Sequence, residues 1–179
     1  MKRFLLTIPT LLGTEQIVAN EVRRLGYETS EVKDGSVTFE GDAEAVCLAN
    51  INLRAAERVM IKIAEFKVTT FDELFEKVKK IKWENIIEKD AAFPVKGHSL
   101  RSVLHSVPDC QAIIKKAIVT ELSEHYGISN FEETGPLYPV QFALMKDIIT
   151  LYIDTSGENL YKRGYREKSV LAPMRETLA

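Results

Sequence analysis

Residues with chemical capacity gather in two stretches of this chain. In the first, Phe93, Pro94, Val95, Lys96, Gly97, His98, Ser99, Leu100, Arg101 and Ser102 are consecutive. This is a recipe for holding an anion at the end of a strand. Lys96 and Arg101 supply charge, the hydroxyls of Ser99 and Ser102 donate hydrogen bonds, and Gly97 lets backbone approach a phosphate closely. The second stretch holds Tyr161, Lys162, Arg163, Gly164, Tyr165 and Arg166. Its three cations suit phosphate, and its tyrosines suit either an exposed base or packing on a sheet. Between the two, a segment after Pro108 carries Gln111, Lys115 and Lys116, with Gln111 and Lys115 one helical turn apart. If these pieces converge, they form a cationic track able to bind a polyanion.

Other chemistries find less support. His98 with Asp109, or His105 with Cys110, could be drawn as acid/base or nucleophilic dyads, but three histidines without a second matching motif read as surface or structural residues. The same holds for a metal site. Cys47 and Cys110 sit far apart inside apolar helical patterns and read as buried free thiols, not as a disulfide. Lys77, Lys79, Lys80 and Lys82 read as a solvated helix face, and Trp83 as core.

With 179 residues, 45% of them hydrophobic and 28% charged, the chain has the composition of a soluble globular protein. Its formal net charge of −2 does not advertise a polyanionic partner, so any such partner must be met by a local patch. Met1 to Leu12 starts basic and partly apolar, but Pro9 and Thr10 interrupt it. A signal peptide or membrane anchor is not expected, and the expected location is cytoplasmic.

The elements that must position these residues follow from periodicity. Arg3 to Ile8 reads as a strand, and Thr14 opens a helix with Ile17, Val18, Val22 and Leu25 on one face. Glu28 to Lys33 and Ser36 to Glu40 read as a hairpin whose Asp34 and Gly35 suit a type I′ turn. Asp42 caps a second helix with Ala45, Val46, Leu48, Ala49 and Leu53 inward, and Arg58 to Lys67 is a fourth strand. Strand, helix, strand, strand, helix, strand is the ferredoxin-like order. A second α/β unit opens at Thr70, with Glu73 three residues on, for a helix using Phe71, Leu74, Phe75, Val78 and Ile81. A strand over Ala91 to Lys96, a polar turn at Gly97 to Ser99, and a helix from Pro108 to Gly127 follow. Two last strands, Tyr138 to Met145 and Ile148 to Asp154, are joined at Lys146 and Asp147.

Val103 to Ala117, with Pro108, Asp109, Cys110, Gln111, Ile113 and Ile114, resembles the entry to the core helix of a THUMP domain. The tail from Leu160 to Leu178 resembles the junction in RlmL/YpsC-like bacterial RNA methyltransferases, where a ferredoxin-like domain and a THUMP domain precede a Rossmann-type catalytic domain. The resemblance covers essentially the whole chain. It implies an α+β fold, with a ferredoxin-like domain at 1–67, a THUMP RNA-binding domain at 68–165, and at 166–179 a linker and the start of a methyltransferase domain absent from this chain. It also implies capture of structured RNA, 23S ribosomal RNA above all, for methylation at N2 of a guanosine. The methyl donor, S-adenosylmethionine, would be bound by the absent domain and not by this fragment. Neither a glycine-rich cofactor loop nor an Asp/Asn-Pro-Pro-aromatic motif occurs here, so no catalytic residue is assigned and no metal is expected. From residue type and spacing, the expected RNA-binding residues are Lys96, Gly97, His98, Ser99, Arg101, Ser102, Lys115, Lys116, Lys162, Arg163 and Arg166. Two alternatives stay open: the THUMP region of another RNA-modifying enzyme acting on tRNA, and a protein-interaction or ligand-sensing module.

Overall fold

Thr10 to Thr14 is the first place where local chemistry sets the chain's course. Glu15 accepts backbone N–H groups from Gly13 at 2.9 Å and Gly35 at 2.8 Å, tying the loop after the first strand to the tip of the neighbouring hairpin. Those two amides hold the Glu15 carboxyl below its usual range, with Gly35 the larger influence. Thr14 makes no side-chain cap; its hydroxyl donates back to Leu11 O at 2.8 Å. The computed structural model describes residues 3–128, 130–162 and 177. They fall into two compact units, 1–62 with 154–179, and 63–153.

The first unit contains β1 (Phe4–Pro9), α1 (Glu15–Arg24), β2 (Thr29–Lys33), β3 (Ser36–Gly41), α2 (Ala43–Asn52) and the start of β4 (Met60–Lys67). Its strand order is β2-β3-β1-β4, all antiparallel, with Leu6 opposite both Phe39 and Ile61. This is the ferredoxin-like arrangement expected from the element order. Val18, Ala19 and Val22 of α1 and Ala45 and Ala49 of α2 bury themselves with Leu6, Ile8, Val37 and Phe39. Asp42 caps α2 by accepting Ala45 N–H at 3.0 Å. Gly41 is forced there, because a Cβ would lie 2.3 Å from that of Ala45.

Two expectations are corrected in this unit. Gly35 alone takes a positive φ, 76°, while Asp34 does not, so the hairpin turn is not type I′, which needs both central residues left-handed. Cys47 is exposed, not buried, because it lies on the outer side of α2; only Cys110 is a buried thiol.

The segment after Asp154 is held to this unit by a polar clasp. Asp154, with a side chain 1% exposed, pairs with Arg58, whose guanidinium also donates to Gly157 O at 2.9 Å. Ser156 Oγ accepts Val59 N–H at 2.8 Å and donates to Asn50 Oδ1 at 2.7 Å, and Asn50 donates to Thr155 Oγ1 at 3.0 Å.

The second unit holds the C-terminal half of β4, then α3 (Phe71–Lys79), β5 (Val95–Leu100), α4 (Val107–Tyr126), β6 (Val140–Met145) and β7 (Ile148–Asp154). The strand order is β4-β7-β6-β5, with β5 parallel to β6 and β6 antiparallel to β7. Thr70 caps α3 through Glu73 N–H, and Gly127 ends α4 in the left-handed conformation at φ 65°. Trp83 is fully buried and donates its indole N–H to Val78 O at 2.9 Å, as core rather than a stacking platform. Phe142, Leu144, Ile149 and Leu151 form the buried sheet face, with Ile114, Ile118 and Leu122 of α4 also buried.

The strand expected at Ala91 to Lys96 is displaced. It runs from Val95 to Leu100, and Gly97, His98 and Ser99 are strand residues, not a turn. The parallel register with β6, Val95 opposite Val140 through Leu100 opposite Met145, fixes this. A turn with both central residues at positive φ occurs elsewhere, at Lys146 (φ 51°) and Asp147 (φ 64°), between β6 and β7. Among the described residues no helix is long and apolar enough to cross a membrane.

Candidate nucleic-acid interface

The edge strand β5 sorts the candidate residues by the two-residue period of a strand. Val95, Gly97 and Ser99 turn to the half-buried side, whereas Lys96, His98 and Leu100 are exposed on the other. Gly97 has a packing reason to be glycine: a Cβ would sit 2.2 Å from Phe142 O and 2.4 Å from the Phe142 ring. Ser99 Oγ donates to Leu104 O at 2.7 Å, and Ser102 Oγ donates to Leu100 O at 3.1 Å while accepting Asp147 N–H at 3.0 Å. Both hydroxyls therefore brace the turn after β5. Arg101 stands at the tip of that turn with φ 52°, exposed.

Lys96, His98 and Arg101 are thus brought together, and Lys146 joins them. Its backbone N–H donates to Leu100 O at 3.2 Å, which sets the β6–β7 turn beside the turn after β5. Lys146 carries no local sequence signal, because only the parallel β5–β6 pairing, between residues 45 apart, makes the two turns neighbours. On α4, Lys115 is already engaged: Nζ donates to Phe93 O at 3.2 Å, lies 3.5 Å from the centre of the Phe93 ring and pairs with Glu133. Lys116 is exposed, with Nζ 5.7 Å from the Phe75 ring centre. Lys162 is exposed in the first unit, at the end of a short 3-10 turn, Leu160–Lys162. Arg163 and Arg166, like Gly164, Tyr165 and Pro173, lie outside the described residues.

Electrostatics assign no nucleophile. Burial first, then Asp109, raises the Cys110 thiol above its ordinary value, so it stays protonated, and the His105 ring lies 3.0 Å from Val103 O. One carboxyl departs strongly from its usual range: Glu121 of α4 is pushed up to about 7, by burial first and then by hydrogen bonding and repulsion from Glu84, whose own pKa is lowered. Among the described residues no group of three or more His, Cys, Asp or Glu is placed to hold a metal ion.

The arrangement therefore exposes Lys96, Arg101 and Lys146 along one strand and two neighbouring turns. Comparison with known proteins adds lineage. The family model for the RlmL ferredoxin-like domain matches residues 5–60, and that for the THUMP domain matches residues 68–154. A putative RNA methyltransferase, YpsC of Bacillus subtilis (strain 168), is 50% identical over 181 residues, covering 100% of this chain and 47% of the relative. The ribosomal RNA large subunit methyltransferase K/L of Psychromonas ingrahamii is 33% identical over 176 residues, covering 96% of this chain and 23% of that protein. The crystal structure of SMU.472, a putative methyltransferase complexed with SAH, superposes with a TM-score of 0.92 at 38% identity, over 99% of this chain and 47% of that one. The chain thus spans about half the length of YpsC and SMU.472, and less of the K/L protein.

Proposed function

Since the chain belongs to the family that joins an RlmL ferredoxin-like domain to a THUMP domain, we propose that it is the RNA-capturing N-terminal region of an S-adenosylmethionine-dependent RNA methyltransferase. Its RNA would be 23S ribosomal RNA, its target the exocyclic N2 of a guanosine, and its location the cytoplasm. One observation carries the binding surface: Lys96, His98, Arg101 and Lys146 stand exposed on one strand and two turns that brace each other. The three cations so fixed, Lys96, Arg101 and Lys146, can follow a phosphate backbone with little ordering cost on binding, and the His98 ring can add a hydrogen bond. Lys116 joins the proposed set on the same unit, and Gly97, Ser99, Ser102 and Lys115 contribute by holding the strand, the turns and Phe93; Lys162 of the first unit, and Arg163 and Arg166 beyond the described residues, are proposed from the sequence alone.

The methyl donor does not fit the described residues. A sulfonium nucleotide needs a glycine-rich turn between strand and helix and a pocket for its base. Here the β1–α1 loop has Gly13 as its one glycine, and the turn after β5 is closed by the hydroxyl of Ser102. Support for the cofactor comes from the SAH complex of SMU.472. In this reading donor and base-selecting groups lie in the part of the longer relatives that this chain does not span. The chain's own residues bind, orient and present the RNA.

The test is binding of 23S ribosomal RNA segments and of tRNA to this chain at two salt concentrations. The reading expects ribosomal segments to be preferred and affinity to fall steeply with salt. Each of Lys96→Ala and Arg101→Ala should lower the salt slope by about 1. Equal or better binding of tRNA would move the assignment to a tRNA-modifying enzyme. Salt-independent binding, or none, would refute capture by this surface.

A further inference from the structure

Four large apolar side chains stand exposed at one end of the second unit's sheet: Leu100 (53%), Val103 (60%), Met145 (48%) and Ile148 (46%). Three of them are aligned. Leu100 pairs with Met145 across β5 and β6, and Met145 with Ile148 across β6 and β7, so they form one row perpendicular to the strands. Exposed hydrophobics are ordinary when scattered, but a contiguous row of this kind marks a contact surface.

The row is held rigid from below. Val103 N–H donates to the Asp147 carboxylate at 2.7 Å, Asp147 N–H to Ser102 Oγ at 3.0 Å, Lys146 N–H to Leu100 O at 3.2 Å, and Val68 N–H to Asp147 O at 2.8 Å. Three non-glycine residues, Arg101, Lys146 and Asp147, keep left-handed backbone within this small region. The charges at the end of the row are mainly positive. Lys96 lies on the same face of β5, Arg101 and Lys146 rise at the row's end, and Lys67 precedes the Val68 that bonds the turn, while Glu65 accepts the hydroxyl of Thr150, two residues along the face from Ile148, at 3.0 Å. The nearest carboxylate, Asp147, is turned to the Val103 amide.

We propose that this row is a docking site for an acidic, amphipathic helix of a partner protein, a role beyond RNA capture. The spacing fits. Neighbouring strands lie about 4.8 Å apart, so Leu100 to Ile148 spans about 10 Å, and helix residues seven apart rise by about 10.5 Å. A helix laid along the row places side chains i, i+3 or i+4, and i+7 on Leu100, Met145 and Ile148, and its carboxylates meet the cations of the rim. Nucleic acid fits the row less well, because aliphatic side chains lack the flat faces on which bases stack. A second copy of this chain would bring Arg101 and Lys146 against their own equivalents, like charge to like charge.

Isotope-labelled chain titrated with two synthetic 18-residue peptides of the same Glu, Leu and Ala composition tests this. One peptide carries Leu at i, i+3, i+4 and i+7; in the other the order is scrambled. The patterned peptide should shift the amide signals of 100–103 and 145–148 and bind at least tenfold more tightly than the scrambled one. Met145→Glu and Ile148→Glu should each weaken it at least tenfold with the melting temperature unchanged, since both side chains are already exposed. The proposal is overturned if the two peptides bind alike or if either variant binds as the parent does. Sedimentation showing a dimer that Met145→Glu dissolves would overturn it in favour of self-association.

Discussion

The carboxyl of Glu121 should make this chain more stable at mildly acid than at mildly alkaline pH. One oxygen of Glu121 and one of Glu84 are buried with no other hydrogen-bond partner, so they can bond to each other only by sharing a proton, and burial first, then Glu84, raises Glu121 from 4.5 to about 7. The charged groups facing the pair are Lys82 and His125, which favour the Glu84 carboxylate, and Glu124, which adds repulsion on Glu121. An acid whose pKa is higher folded than unfolded holds its proton more tightly in the fold. Its favourable contribution is complete below about 4.5 and is lost as pH rises through about 7. Undiscounted, a shift of that size corresponds to about 3 kcal/mol. Glu121 is only partly buried, and the lowered Glu84 works in the opposite direction, so roughly 1–2 kcal/mol survives. For a chain of this length that is a fall in melting temperature of about 3–6 °C. Thermal unfolding of the parent and of Glu121→Gln between pH 4.5 and 8.5 measures it, with His125→Ala as a control for the neighbouring imidazole. Gln keeps a donor toward Glu84 and carries no charge, so the difference between the two proteins should open as pH rises from about 4.5 and level off above about 7. A difference that stays flat would refute the buried, proton-sharing pair.

Three further perturbations probe the same architecture. Gly97→Ala should destabilise the chain by about 1–3 kcal/mol in urea unfolding, because its Cβ would meet the backbone oxygen of Phe142 at 2.2 Å; an unchanged midpoint would remove the packing explanation for this glycine. Arg58→Ala should cost about 3 kcal/mol by leaving the Asp154 carboxylate buried and unpaired, and Arg58→Ala with Asp154→Asn should recover part of it. Trp83→Ala should cost about 3–5 kcal/mol through the cavity it leaves, whereas loss of RNA affinity without loss of stability would instead make Trp83 a binding residue.

The first unit was readable because its signals are local and agree with one another. The apolar stripe of α1, the Asp42 cap and the two-residue gap between β2 and β3 each name an element, and their order names the fold. The type of the β2–β3 turn was not readable, since the handedness of Asp34 depends on the bond from Thr10 N–H to Gly35 O and on Glu15, twenty residues away. In the second unit β5 escaped because Lys96, Gly97, His98 and Ser99 are turn-like by composition. They are strand residues only because β6, far along the chain, pairs with them. The candidate site shows the same division. Lys96 and Arg101 could be picked by type, but the uses of Ser99, Ser102 and Lys115 are tertiary, and so is the company of Lys146. The exposed row of Leu100, Met145 and Ile148 was invisible for a related reason. Alternation divides a strand into two faces without saying which one helices cover.

The most direct measurement is the salt dependence of binding between this chain and a 23S ribosomal RNA segment, for the parent and for Lys96→Ala with Arg101→Ala. Affinity should fall steeply with salt in the parent, and the slope should be reduced by about 2 in the double variant, with stability unaltered. Binding whose slope is the same in both proteins would contradict RNA capture by these residues.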